Sequence, residues 1–167
     1  MPGVDAWSEI KDALTKTERL GIEKLIAYLE ASDFKTCPAS ARYHNNFEGG
    51  LLDHTYNVWK CAETMANILP GPVNLDHFLI AAVCHDLSKI GSYKKSKRNR
   101  KDKYGNWESY EVYENNENPE GTLLAAPALP LGHAYASIEI AERYIKLTDT
   151  EKIMIAHHMG CLLYTSD

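Results

Sequence analysis

The chain has 167 residues, 44% of them hydrophobic and 25% charged, with a formal net charge of −5. That balance fits one globular domain long enough to bury a core and excludes a uniformly basic nucleic-acid binder. No apolar run approaches the roughly 18 residues that span a bilayer. The N-terminus MPGVDAWSEIKDAL carries no signal-peptide pattern, so no membrane partner is expected and the expected compartment is the cytoplasm.

Hydrophobic periodicity predicts mostly helices. Asp5 to Leu14 and Thr17 to Glu30 read as two short amphipathic helices, the second with an apolar stripe of Ile22, Leu25, Ile26 and Leu29. Gly49-Gly50 opens a third, with Leu52, Thr55, Val58, Trp59, Ala62 and Met65 expected on its inner side and Pro70-Gly71-Pro72 closing it. Asn74 is the expected cap of a helix running to Lys89, with Gly91 as its stop. KKSKRNRKDK (94–103) holds seven of the 18 basic residues and one acid, so the remainder of the chain is strongly acidic. The turn signal Tyr-Gly-Asn predicts a β-hairpin with arms near Ser92–Arg98 and Trp107–Tyr113. NPEGTLLAAPALPLG reads as a long loop, followed by helices at about Ala134 to Lys146 and Asp149 to His158. Cys37, Cys61, Cys84 and Cys161 are widely spaced and read as free thiols.

Histidines carry the chemical signal. His85 and Asp86 end the apolar run Phe78–Val83, and burying either without a partner costs about 2–7 kcal/mol or more. His44, His54, His133 and the pair His157-His158 also fall where helices begin or end. His77 has an acidic neighbour and reads as a surface residue. A single histidine beside an apolar face is usually a satisfied core or rim residue, and adjacent helical residues point about 100° apart. Several imidazoles with one carboxylate and no thiolate nonetheless suit one or two divalent ions of Mn, Fe, Co or Zn, with Mg admitted.

Taken in order, GGLLDHT, AAVCHDLSKIG, LGHA and HHMG resemble the HD-domain metal-dependent phosphohydrolases. More closely, they are similar to small bacterial and phage members with a GGLLxHT helix start. The resemblance covers about residues 41–160. It implies a mainly α fold, an HD-domain helical bundle, in which the hairpin and long loop form an insertion at about 91–132. Residues 1–160 are then one domain. The resemblance makes His54, His85 and Asp86 the primary metal ligands, with His133 and His158 completing a second site and His157 matching less securely. Lys89, in the place of the lysine that often follows the His-Asp pair, is expected at substrate phosphate. Asp86 and Lys89 are the expected catalytic residues, and Arg42 and His44 could also reach substrate.

There are two departures. Relatives often carry Gly-Glu-Lys after the LGH histidine, where this chain has Ala134-Tyr135-Ala136. The family also closes its site with an aspartate on a helix after HHMG. Here the remaining CLLYTSD is the in-frame translation of TGTCTCTTATACACATCTGAC, a transposon-end adapter of sequencing libraries. The expectation is a natural chain cut near Gly160, with 161–167 a non-native tail and Asp167 not the missing ligand.

The expected function is hydrolysis of a phosphate ester, a nucleotide or related small molecule, by a metal-activated water. The alternative is a catalytically inactive HD-fold module that binds metal and nucleotide. A nucleic-acid partner acting through 94–103 is the less favoured reading, because Glu108, Glu111 and Glu114 could pair across the basic arm.

Overall fold

The computed structural model describes residues 5–116 and 132–158. Within them lie six α-helices and a two-stranded antiparallel sheet. The expectations for the long loop and for the tail beyond Gly160 concern residues outside the described ones.

Helix α1 (Ala6–Lys16) buries Trp7, Ile10 and Leu14, the spacing of one helical face. Helix α2 (Ile22–Ala31) buries the expected Ile22, Leu25, Ile26 and Leu29. It begins five residues later than its periodicity predicts, because Glu18 (φ 51°) and Gly21 (φ 88°) are left-handed and break the turn between the helices. A side chain at Gly21 would collide with the Tyr144 carbonyl.

Helix α3 (Gly50–Ala66) seals Leu51, Thr55, Trp59 and Ala66 in the interior. Of the expected inner stripe, Thr55 and Trp59 are buried, Leu52, Val58 and Ala62 are half-buried, and Met65 is exposed. The flank carrying Val58 and His54 faces a cleft, not the core. Helix α4 (Leu75–Cys84), capped by Asn74 accepting from the Asp76 N–H, is the central helix and buries every residue from Leu79 to Cys84. It stops at Cys84, short of the expected Lys89. Asp86 leaves the helix at φ −120°, ψ 21°, and a 3₁₀ turn, Leu87–Lys89, follows. A continuing helix would splay the side chains of residues 85 and 86; the break brings them to one point.

Strands β1 (Tyr93–Lys101) and β2 (Trp107–Asn115) pair in register from Tyr93–Asn115 to Lys101–Trp107. They run two or three residues past the expected arms. Arg98–Glu114 and Arg100–Glu108 ion pairs tie them together on one face. Helices α5 (Gly132–Glu142) and α6 (Asp149–Ala156) complete the fold, α6 starting in a Thr148–Glu151 capping box. Both end earlier than expected, at Glu142 and Ala156. Helices α5 and α6 pack on each other, α6 also on α4, and α5 against the 3₁₀ turn. Phe34, Leu51, Ile80, Leu87, Ile140 and Ile155 are fully buried between them. No described helix is long and apolar enough to cross a membrane. Cys37, Cys61 and Cys84 are free.

One buried carboxylate holds the far side of the bundle. Glu151 is completely enclosed; its oxygens accept from Arg19 Nη1 (3.0 Å) and Nη2 (2.7 Å), from the Thr148 N–H (2.8 Å), and face His77 Nδ1 at 2.9 Å. His77 is therefore a structural partner and not a surface residue. Burial alone would raise the Glu151 pKa, but the hydrogen bonds from Arg19, His77 and Thr148 outweigh it and hold the group at about 2.

Because the folded pKa lies below the ordinary 4.5, the unfolded chain binds more protons between these values, so this contribution is complete above them and is lost as pH falls through about 2. Urea unfolding of the parent and of Glu151→Gln at about pH 5 and about pH 3 checks it: stability of the parent should fall more steeply, by an amount on the order of 1 kcal/mol. Gly50 supplies a second check, since a Cβ there would strike the Asn45 carbonyl. Gly50→Ala should cost about 3 kcal/mol in the same measurement.

Candidate metal centre

Five of the six expected metal ligands meet at one point. His54 comes from the second turn of α3, His85 and Asp86 from the break after α4, His133 from the first turn of α5, and His158 from just beyond α6. His54 Nε2 and His85 Nε2 are 3.1 Å apart, and both face Asp86 Oδ2, at 3.5 Å and 3.0 Å. On the other side, His133 Nε2 and His158 Nε2 are 3.1 Å apart and face Asp86 Oδ1 at 3.7 Å and 3.8 Å. The centre is thus two histidine pairs joined by one carboxylate, each pair and its oxygen able to hold an ion.

Backbone contacts aim the rings. His85 Nδ1 lies 2.7 Å from the Ala82 carbonyl and His158 Nδ1 2.6 Å from the Ile155 carbonyl. A carbonyl only accepts, so Nδ1 carries the hydrogen in both, and Nε2 of a neutral ring presents its lone pair to the centre. Lone pairs facing a carboxylate at these distances repel unless a proton or a cation lies between them. Asp86 Oδ1 is buried with no hydrogen-bond partner, which native interiors rarely leave so. A tetrahedral ion with bonds of about 2.0 Å separates its ligand atoms by about 3.3 Å, close to the spacings seen. The donor set therefore fits a divalent ion, and the structure does not choose which.

The electrostatics favour the ligating forms. Burial, with a further push from His85, lowers the His54 pKa to about 4. Burial also lowers those of His133 and His158. For Asp86, burial opposes ionisation, but His85 and Lys89 outweigh it and keep the carboxyl well below its usual range. Neutral imidazoles around an ionised carboxylate are what metal binding requires.

Lys89 does not stand free: its Nζ donates to Asp86 Oδ2 at 2.7 Å. It still lines the cleft above the centre, about 430 Å³ in volume, together with Arg42, His44 and Tyr93. The His44 ring lies 5.0 Å from that of His54. His157 is not brought in; it is exposed, and its Nδ1 turns back to the Ile153 carbonyl at 3.0 Å. Sequence reasoning missed Ser88 and Ser137. The Ser88 N–H donates to Ser137 Oγ (3.0 Å) and Ser88 Oγ to the His133 carbonyl (3.0 Å), which pins α5, and with it His133, to the turn after Asp86. The structure alone reveals this pairing, since Ser137 is fully buried among the alanines and isoleucines of α5.

Known proteins share part of this chain. It is 40% identical over 60 residues to a dihydroneopterin 2',3'-cyclic phosphate phosphodiesterase of Methanocaldococcus jannaschii, a stretch covering 34% of this chain and 24% of that protein. It is 34% identical over 58 residues to the 3'-5' exoribonuclease YhaM of Listeria monocytogenes, covering 35% and 18% of the two chains. The match to YhaM of Listeria innocua has the same extent. The matched stretches thus span about a quarter or less of these relatives. No solved structure matches. The HD domain model matches residues 51–163, the span that supplies all five converging residues, and the chain belongs to the HD domain family.

Proposed function

We propose that this chain is a metal-dependent phosphohydrolase acting on a phosphate ester of a nucleotide or related molecule. The observation that carries the reading is the shared carboxylate: Asp86 lies between two pairs of inward-facing imidazole nitrogens at the floor of an open cleft. The named activities of the two relatives, one on a cyclic phosphate and one on RNA, support a phosphodiester as substrate.

In this reading His54, His85 and Asp86 hold one divalent ion, and Asp86, His133 and His158 a second. Such ions supply a Lewis acid and a water acidic enough to ionise near neutral pH. The protein's own groups do the remainder. Asp86 stays ionised and fixes the separation of the two halves. The Lys89 ammonium, one hydrogen bond from Asp86, is placed to hold a phosphoryl oxygen and offset its charge. Arg42 and His44 at the cleft mouth orient the ester. The cleft's volume is that of an ordinary small-ligand site.

Mass spectrometry of the chain purified without chelator should find one or two transition-metal ions per molecule, lost in Asp86→Ala. Phosphate-ester hydrolysis, followed with bis(p-nitrophenyl) phosphate and a panel of nucleotides, should fall at least about a hundredfold in that variant. A fully metallated chain that hydrolyses no ester would instead be a binding module. Lys89→Met should keep its metal and lose about ten- to a hundredfold in kcat/KM, the equivalent of one hydrogen bond to a charged group. Unchanged kinetics in Lys89→Met would remove that lysine from the site.

A further inference from the structure

The cleft over Asp86 does not end at the metal centre. Ala41 and Arg42 line it on one side and on the other line a second groove of about 380 Å³, walled by Lys94 and Arg98 of β1 and by Val112 and Glu114 of β2. The two spaces are consecutive along the hairpin. Tyr93 turns into the centre's cleft, and because strand side chains alternate, Lys94 and Arg98 turn into the groove beside it.

The charge in this groove is unbalanced. Glu114 is cross-strand from Lys94, yet its Oε1 is taken by Arg98, whose Nε and Nη2 donate at 2.9 Å and 2.6 Å. Among the described residues, Arg42 and Lys94, like Lys97, Lys101 and Lys103 farther along the hairpin, have no acidic partner within ion-pair distance, whereas Lys95 pairs with Glu48 and Arg100 with Glu108. A self-neutralised hairpin accounts for those pairs. It does not account for two unpaired cations, one on the loop and one on the strand, that line the same groove. Tyr43, next to Arg42, is 82% exposed at the cleft mouth. A basic track with an unpacked aromatic beside it is the arrangement that takes a single nucleic-acid strand, phosphates on the cations and a base on the ring.

We propose that the substrate is a short single-stranded oligonucleotide, with its scissile phosphodiester at the metal centre and its neighbouring phosphate in the groove between Arg42 and Lys94. This deepens the hydrolytic reading and rests on it for the word substrate, while the groove itself can be tested by binding alone.

A fluorescein-labelled phosphorothioate oligodeoxynucleotide, which resists cleavage and keeps its charges, is titrated with the parent chain, with Lys94→Glu and with Lys24→Glu as a remote control. Fluorescence anisotropy is read at several salt concentrations. Lys94→Glu should weaken binding about tenfold and reduce the salt dependence by about one phosphate contact, with Lys24→Glu unchanged. Hydrolysis of bis(p-nitrophenyl) phosphate, which has no second phosphate, should be equal in parent and Lys94→Glu. Binding that Lys94→Glu leaves intact would overturn the proposal, as would an oligonucleotide held no more tightly than a mononucleotide. Binding that depends on Lys94 in a chain that hydrolyses no ester would uphold the groove and overturn the hydrolytic reading.

Discussion

A carboxylate buried at the end of an apolar helix sets the terms for the rest of this structure. Asp86 is 3% exposed, and an ionised group so placed is unstable unless charge and hydrogen bonds surround it. Lys89 donates to one of its oxygens, which also faces His54 and His85. The other has no hydrogen-bond partner and looks onto His133 and His158. The imidazoles arrive from four different segments, so the bundle is arranged around the electrostatic need of one side chain. The apolar wall of α4 makes that need acute and keeps the site's shape.

The loop before α3 is positioned by backbone contacts as well as by the buried side chains of Phe34, Cys37 and Ala39. The Ala39 N–H donates to the Asn45 carbonyl, the Gly49 N–H to that of Thr36 and the Leu51 N–H to that of Cys37. Gly50 packs directly beneath this lacing, where any side chain would strike the Asn45 carbonyl. The glycine pair thus does two things at once. It starts the helix that carries His54, and it lets the loop bearing Arg42 and His44 lie over the cleft. The hairpin is fastened to the same loop through Lys95 and Glu48, and to the body through the Gly91 N–H on Asp33 and Ser92 Oγ on the Ser88 carbonyl.

What could be read from the sequence follows from how local each cause is. The helices, the hairpin and the convergence of His54, His85, Asp86, His133 and His158 were legible because periodicity, turn residues and motif order are properties of short stretches. His157 and His158 could not be separated by periodicity, since the helix ends at Ala156 and the next residue is a cap whose ring returns to its own backbone. His77 was misread because its partners, Glu151 and through it Arg19, are distant in the chain. The end of α4 at Cys84 was hidden for a related reason. The residues around it favour a helix, and the break falls at Asp86, after which the Ser88 N–H bonds to the distant Ser137 Oγ. Ser88 and Ser137 act across 49 positions, a separation at which no local pattern exists.

The two histidine pairs arrive from different helices, His54 and His85 from α3 and the end of α4, His133 and His158 from α5 and the residues after α6. Asp86 is therefore a clasp among four segments. Each pair presents its nitrogens to a different oxygen of the same carboxyl group, so a shift of one helix against the others would reach the centre as a change in the spacing between its two compartments.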